Sequence, residues 1–329
     1  TVRSLWPFHG HSGRFSHVAP EPPHPMTSRL PSRWVLLALG PLALLAVSCS
    51  GPKVTILDKP VHESQAARAL TNSDALEDTT SATLREEDLL ALYRDDAAGA
   101  IRILAQRYRQ SPSEARRRAL VEVSSDQGDR LTTQHPMRAL GHYLDAARLS
   151  EKGAIASIGH EGEPFDQTAY NYSAARVARI IREHTGGTRT VGVAPGAVWQ
   201  WRLTLAEGKE MVDPRQYDIL APASWLEVKG VKWEPSRQDG LGAPMVGYRR
   251  TTEAVTKTDP LAPESGRATP LNASFQFSGQ NATFKLQNLM ARSTATIAGR
   301  KVQLAGDFSS ALAFIYYEQV GEISKLEAL

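Results

Sequence analysis

The chain has 329 residues, with 38 Lys and Arg against 35 Asp and Glu and a single cysteine, Cys49. One cysteine excludes an internal disulfide and a cysteine zinc site. Four of the basic residues and one acid precede Cys49, which leaves 34 of each from there on. That neutral remainder lacks the basic balance of a nucleic-acid binder.

Residues 1–25 begin at Thr1 and are rich in His, Pro and Gly. They are read as upstream sequence, not translated or not functional, because the signal that follows has its own initiator in Met26. Gly10-His11-Ser12-Gly13 resembles part of a serine elbow, but Arg14 stands where the closing glycine belongs and no strand pattern precedes it.

Met26 to Cys49 has the layout of a secretory signal: Arg29 and Arg33, then an uncharged apolar run from Trp34 to Val47, then Ser48-Cys49. The run is shorter than the roughly twenty residues of a membrane span and contains Gly40 and Pro41. A small residue before the cysteine gives it the form of a bacterial lipoprotein signal, cleaved after Ser48 and acylated (palmitate-type chains) on Cys49. Residues 26–48 are then the signal peptide. The expected location is the bacterial cell envelope, lipid-anchored to a membrane and facing the periplasm or exterior. Plain secretion and a single-pass anchor are the alternatives. Ala46 stands where such signals more often carry leucine.

Residues 49–82 are polar and poorly periodic, the composition of a flexible tether. Helical patterns fill 83–189. Thr83-Leu84-Arg85-Glu86 reads as a capping box, and Leu89, Tyr93, Ala97, Ile101, Leu104 and Tyr108 follow on one face. Ser111-Pro112-Ser113-Glu114 reads as a second capping box. A third helix is predicted from Pro136 to about Leu149 and a fourth from near Asp166 to His184. Short polar loops between them suggest tetratricopeptide-like helical hairpins, without a repeated 34-residue pattern.

The period changes near Val191. Trp199, Trp201, Leu203 and Leu205 alternate with polar residues, as do Ala273, Phe275 and Phe277, then Phe284 and Leu286. Ala295 and Ile297 precede a turn at Gly299-Arg300-Lys301, and Val302 and Leu304 follow. Ser309 to Tyr317 suggests a short helix. The fold class is therefore α+β: helical hairpins, then a mostly antiparallel β region over 190–329, with the option that both share one core.

Candidate chemistry is sparse. Gly240-Leu241-Gly242 lacks the Gly-Lys-Ser/Thr of a phosphate loop and reads as a tight bend. His160-Glu161-Gly162-Glu163 sits among Gly and Pro, where no metal-binding helix forms. Asn171, Asn272 and Asn281 head chance N-x-S/T triplets. Asp213, Asp218 and Glu227 are scattered acids whose separation decides whether any two act together. Trp199, Trp201, Trp225 and Trp233 read as core before ligand groove. His62, His135, His142, His160 and His184 have no serine elbow to serve. No catalytic, metal or cofactor-binding residue is assigned.

Four stretches carry a family resemblance: Pro136-Met137-Arg138-Ala139-Leu140-Gly141-His142-Tyr143-Leu144-Asp145-Ala146-Ala147, Phe165-Asp166 through Tyr170-Asn171, Gly240 through Val246, and Gly299 through Phe308. Through them, residues 84–317 resemble the N-terminal region of bacterial lipoproteins that carry a downstream α/β-hydrolase (lipase- or esterase-like) domain. In such proteins the oxyanion segment and serine elbow come after this region, so no catalytic residue carries over. The resemblance implies a non-catalytic accessory region. Its partners are the membrane, through Cys49, and a downstream hydrolase domain or protein partner. The chain is then either a truncated reading frame or an accessory region that stands alone. A stand-alone envelope interaction module is the alternative.

The signal yields one direct expectation. A Cys49→Ala chain leaves the membrane fraction and takes up no fatty-acid analogue. A variant that fractionates and labels like the parent refutes the lipid anchor.

Overall fold

The computed structural model describes residues 53–57, 76–158, 164–186, 189–229, 236–258 and 266–317. The signal with Ser48 and Cys49, along with His62, His160–Glu163 and Trp233, lies outside them.

Strand β1 (Lys53–Ile56) comes first, inside the stretch expected to be a tether. Six helices follow: α1 (Asp78–Glu86), α2 (Leu90–Asp95), α3 (Ala97–Gln110), α4 (Glu114–Leu131), α5 (Pro136–Ala156) and α6 (Phe165–His184). Then come β2 (Thr190–Pro195), β3 (Gln200–Leu205), β4 (Ile219–Pro222), β5 (Leu226–Lys229), β6 (Arg237–Gln238) and β7 (Ala243–Arg249). A short α7 (Glu253–Thr258) leads to β8 (Arg267–Ser278), β9 (Asn281–Asn288), β10 (Thr294–Ile297), β11 (Arg300–Gln303) and β12 (Gly306–Asp307). The last described element is α8 (Phe308–Tyr317).

The expected apolar faces are there, but several boundaries differ. Thr83 does not start a helix. It lies inside α1, and its hydroxyl donates back to the Thr79 carbonyl at 3.0 Å. The single helix expected after it is broken at Asp88, which has φ 53°, and again at Asp96, whose carboxylate caps α3 by accepting from the Gly99 N–H. Ser113, not Ser111, caps α4, accepting from the Arg116 N–H at 3.3 Å. The third helix runs on past Leu149 to Ala156.

The main sheet has the order β2-β3-β9-β8-β7-β4. All its pairs are antiparallel except β3 with β9. Alternation assigns its two faces. Trp201, Leu203, Leu271, Ala273, Phe275, Phe284 and Leu286 are buried in the same apolar cluster as Tyr143, Leu144, Tyr170 and Ile181 of α5 and α6. Helices and strands thus share one core. A second cluster, Ala221, Leu226, Val246, Tyr248, Ala268, Ala311 and Phe314, gathers α8 against the far end of the sheet with Val54 and Ile56 of β1 packed on it.

Polar joints fix the helices to the strands. Strand β7 begins at Ala243, opposite Ala273, so Phe275 two residues further along β8 has no β7 partner. The Tyr170 hydroxyl fills the gap: it accepts from the Phe275 N–H at 2.9 Å and donates to its carbonyl at 3.3 Å. Nearby, the Gln167 amide donates to the Gly240 carbonyl at 2.8 Å, and Asn171 accepts from the Gly242 N–H at 3.0 Å. Asn272 donates to the carbonyls of Leu241 and Ala305. Leu241 also bridges to Leu304. On α5, Asp145 accepts from the Val198 N–H and the Trp201 indole, both at 2.8 Å, and from the Trp199 N–H at 3.3 Å. Three of the stretches that carried the family resemblance, 136–147, 165–171 and 240–246, therefore lie in these helix–strand joints, and the fourth, 299–308, meets Leu241 and Asn272 beside them.

Removing the hydroxyl at the first joint leaves a buried N–H and carbonyl unpaired, which costs about 1–3 kcal/mol. Tyr170→Phe is expected to lower the unfolding free energy by that amount, read in urea melts as a lower midpoint at unchanged slope. A midpoint within error of the parent removes Tyr170 from the joint.

Candidate functional site

Helix α4 is apolar on no single face, yet it is buried from Ala119 to Gly128. The reason is that its three acids, Glu122, Asp126 and Asp129, each find a partner inside. Glu122, Asp126 and Asp129 recur at four- and three-residue steps, which aligns them along one stripe. Glu122 accepts from the Thr80 hydroxyl at 2.5 Å and the Glu77 N–H at 2.6 Å. Asp126 accepts from the Tyr93 hydroxyl and pairs with Arg130 at 2.9 Å. Its other oxygen, Oδ1, is buried with no hydrogen-bond partner. Asp129 accepts from the hydroxyls of Tyr143 at 2.5 Å and Tyr172 at 2.6 Å, with Arg176 at 3.1 Å. Arg176 lies over the rings of Tyr172 and Trp225, and Arg179 also lies over the Trp225 ring, at 4.9 Å.

Burial sets the electrostatics. It pushes the Glu122 carboxyl up to about 7, against the lowering effect of Thr80 and the Glu77 N–H. It raises Asp129 in the same way, opposed by Arg176 and the two tyrosines. Tyr93, Tyr143 and Tyr172 are raised further from neutrality by burial and by these carboxylates, so they act as neutral donors. Outside the stripe, burial also pushes Asp145 up to about 7, although backbone and indole N–H groups pull it down. The arrangement can hold and exchange a proton near neutral pH at Glu122. Its tyrosines are too well satisfied, and too hard to ionise, to act as nucleophiles.

The residues weighed from sequence are placed as follows. Asp213, Asp218 and Glu227 each have a local partner: Arg215 at 2.8 Å, the Arg250 N–H at 2.6 Å and Lys229 at 2.9 Å. Burial and Arg138 lower the buried His142 to about 4, and its Nδ1 lacks a hydrogen-bond partner. His135 precedes α5 and His184 ends α6, 3.9 Å from Glu183. Asn171 and Asn272 are committed to backbone partners, and Asn272 is fully buried. Trp201 and Trp225 are core, and Gly242, with φ 91°, is the tight bend. The Glu122 stripe was missed because its helix shows no amphipathic pattern. The signal that could have found it is the run of acids at Glu122, Asp126 and Asp129 between apolar neighbours.

Among the described residues no group of three or more His, Cys, Asp or Glu is placed to hold a metal ion, and no helix is long and apolar enough to cross a membrane. No family model, curated protein or solved structure matches the chain.

The raised Glu122 carboxyl gives a signed pH dependence. Its folded value, about 7, lies above its ordinary 4.5. The folded state therefore holds the proton more tightly, and the resulting stability, at most about 3 kcal/mol, is full below pH 4.5 and lost as pH rises to 7. A glutamine can accept from the Glu77 N–H and donate to Thr80. Glu122→Gln is expected to flatten the fall between pH 4.5 and 7, with Asp145 keeping part of the slope, and to be the more stable protein at pH 8. Parallel curves for variant and parent would remove Glu122 from the pH response.

Proposed function

We propose that the chain is the accessory region of a lipid-anchored lipoprotein of the bacterial cell envelope, itself non-catalytic, of the kind that precedes an α/β-hydrolase domain. Its role on this reading is to hold and orient that domain at the membrane, and the full-length protein would be a serine hydrolase acting on esters. The membrane is engaged through the lipid on Cys49. Tetratricopeptide-like stacking of α1 to α6 belongs to the same proposal.

One observation carries it. Three of the four stretches that resemble such lipoproteins lock helix to strand: Gly141 and Asp145 against residues 195–201, and Gln167, Tyr170 and Asn171 against Gly240, Phe275 and Gly242. What is shared is a scaffold joint, which suits an accessory region. The second reading is a stand-alone interaction module. It is favoured by β2, an uncharged edge strand of the main sheet on which Val193 is 53% exposed. Such an edge can accept a strand from a partner.

Two measurements test the reading. The DNA following the codon for Leu329 is expected to continue in frame into a His-Gly segment and a G-x-S-x-G elbow; a stop codon there favours the interaction module. The purified chain is also expected to take up no fluorophosphonate probe. Stoichiometric labelling abolished by one Ser→Ala substitution overturns the accessory reading.

A further inference from the structure

The tether begins as a strand, and that limits where the body can sit. Strand β1 pairs antiparallel with β5, from Lys53 opposite Lys229 to Ile56 opposite Leu226. The Leu57 N–H extends the ladder to the Trp225 carbonyl at 2.9 Å. Val54 and Ile56 pack on the second cluster beside Leu226, Ala311 and Phe314. By alternation, Lys53 and Thr55 face the other way, together with Glu227 and Lys229.

Cys49 stands four residues before Lys53. Four trans peptide steps of 3.80 Å reach at most about 15 Å. With acyl chains on Cys49, the Lys53 end of this ribbon is therefore confined close to the bilayer. Two lysines sit directly opposite each other at that end, a like-charge pairing that destabilises an antiparallel ladder. Glu227 lies 2.9 Å from the Lys229 ammonium and offsets part of it. A layer of anionic headgroups would attract both lysines, each by about 1 kcal/mol.

We propose that the outer face of the β1–β5 ribbon lies against the anionic bilayer surface, with Lys53 and Lys229 at the headgroups. The anchor then fixes the orientation of the body instead of letting it swing. This rests on the lipid anchor proposed above. On this reading the opposite edge of the main sheet serves as the reference point off the membrane: β2 is five strand spacings from β4, about 24 Å at 4.8 Å each.

The test uses the lipidated chain reconstituted into vesicles of phosphatidylglycerol and phosphatidylethanolamine. Acylation occupies the thiol of Cys49, so an environment-sensitive fluorophore reports from one position in Thr55→Cys and one in Val193→Cys. The Thr55→Cys probe is expected to be blue-shifted and quenched by nitroxide-labelled lipids, and the Val193→Cys probe is not. Adding Ile56→Asp, which detaches the ribbon from its apolar support, is expected to bring the two probes together while the protein still floats with the vesicles. Adding Lys53→Glu and Lys229→Glu is expected to lower quenching on these vesicles but not on zwitterionic ones. Protein that fails to float overturns the anchor, and the orientation with it. Protein that floats with both probes equally unquenched, or with quenching untouched by Ile56→Asp, overturns the orientation alone.

Discussion

The carboxylate of Asp145 is the point from which the helix–strand arrangement is set. It is fully buried and accepts from the Val198 and Trp199 N–H groups and from the Trp201 indole. The two N–H groups belong to the turn between β2 and β3, and Trp201 is the second residue of β3. A buried carboxylate is tolerable only when its oxygens are filled by donors, so the turn must adopt the shape that supplies them. Arg109 of α3 holds the same turn from another side, donating to the Val198 carbonyl at 2.8 Å. With the turn fixed, Trp201 is fixed too. Its ring then stacks 5.2 Å from Phe277, which lies 5.4 Å from Phe275. One carboxyl on α5 thus orders an aromatic row that links β3 to β8.

Close approach makes the joint possible. A Cβ on Gly141 would meet the Pro195 carbonyl oxygen at 2.1 Å, and one on Gly196 would meet the Asp145 carboxylate at 2.4 Å. At the other joint, a Cβ on Gly240 would meet the Gln303 carbonyl oxygen at 2.4 Å. The backbones come together where side chains are absent, and the hydrogen bonds form because of that. This also accounts for a glycine inside helix α5 at Gly141, where alanine would be roughly 1 kcal/mol better for the helix but would clash with Pro195.

The sequence made some of this legible. Apolar spacing located α5, α6, the paired strands and the terminal helix, because each buries one regular face. It failed where polar side chains did the structural work. Thr83 and Ser111 looked like caps, but Thr83 spends its hydroxyl on its own helix and Ser113 takes the cap. The tether was read as polar and poorly periodic because Val54 and Ile56 form too short an alternation to stand out among its polar residues. Their partners, Leu226 and Val228, lie about 170 residues on, and pairing at that range has no local signature. Nor could residue order show that Asn171, Gln167 and Asn272 converge on a single bend at 240–242.

Helix α4 presents the same lesson in energetic form. A buried ionic or polar stripe is poor evidence of added stability, since apolar residues of equal shape often serve as well or better. What the stripe can supply is register. Asp129 satisfies two tyrosines from two helices, α5 and α6, and Gly128 beside it leaves room for one of their rings: a Cβ there would lie 2.7 Å from Tyr143. Sliding α4 by one residue would strand three carboxylates and drive a side chain into that ring. An apolar face would tolerate the slip better, because apolar side chains of similar volume, such as Leu and Ile, replace one another at modest cost. The polar seam on α4 therefore selects one packing among several that the hydrophobic effect alone would accept, and it does so at the price of the pH sensitivity centred on Glu122.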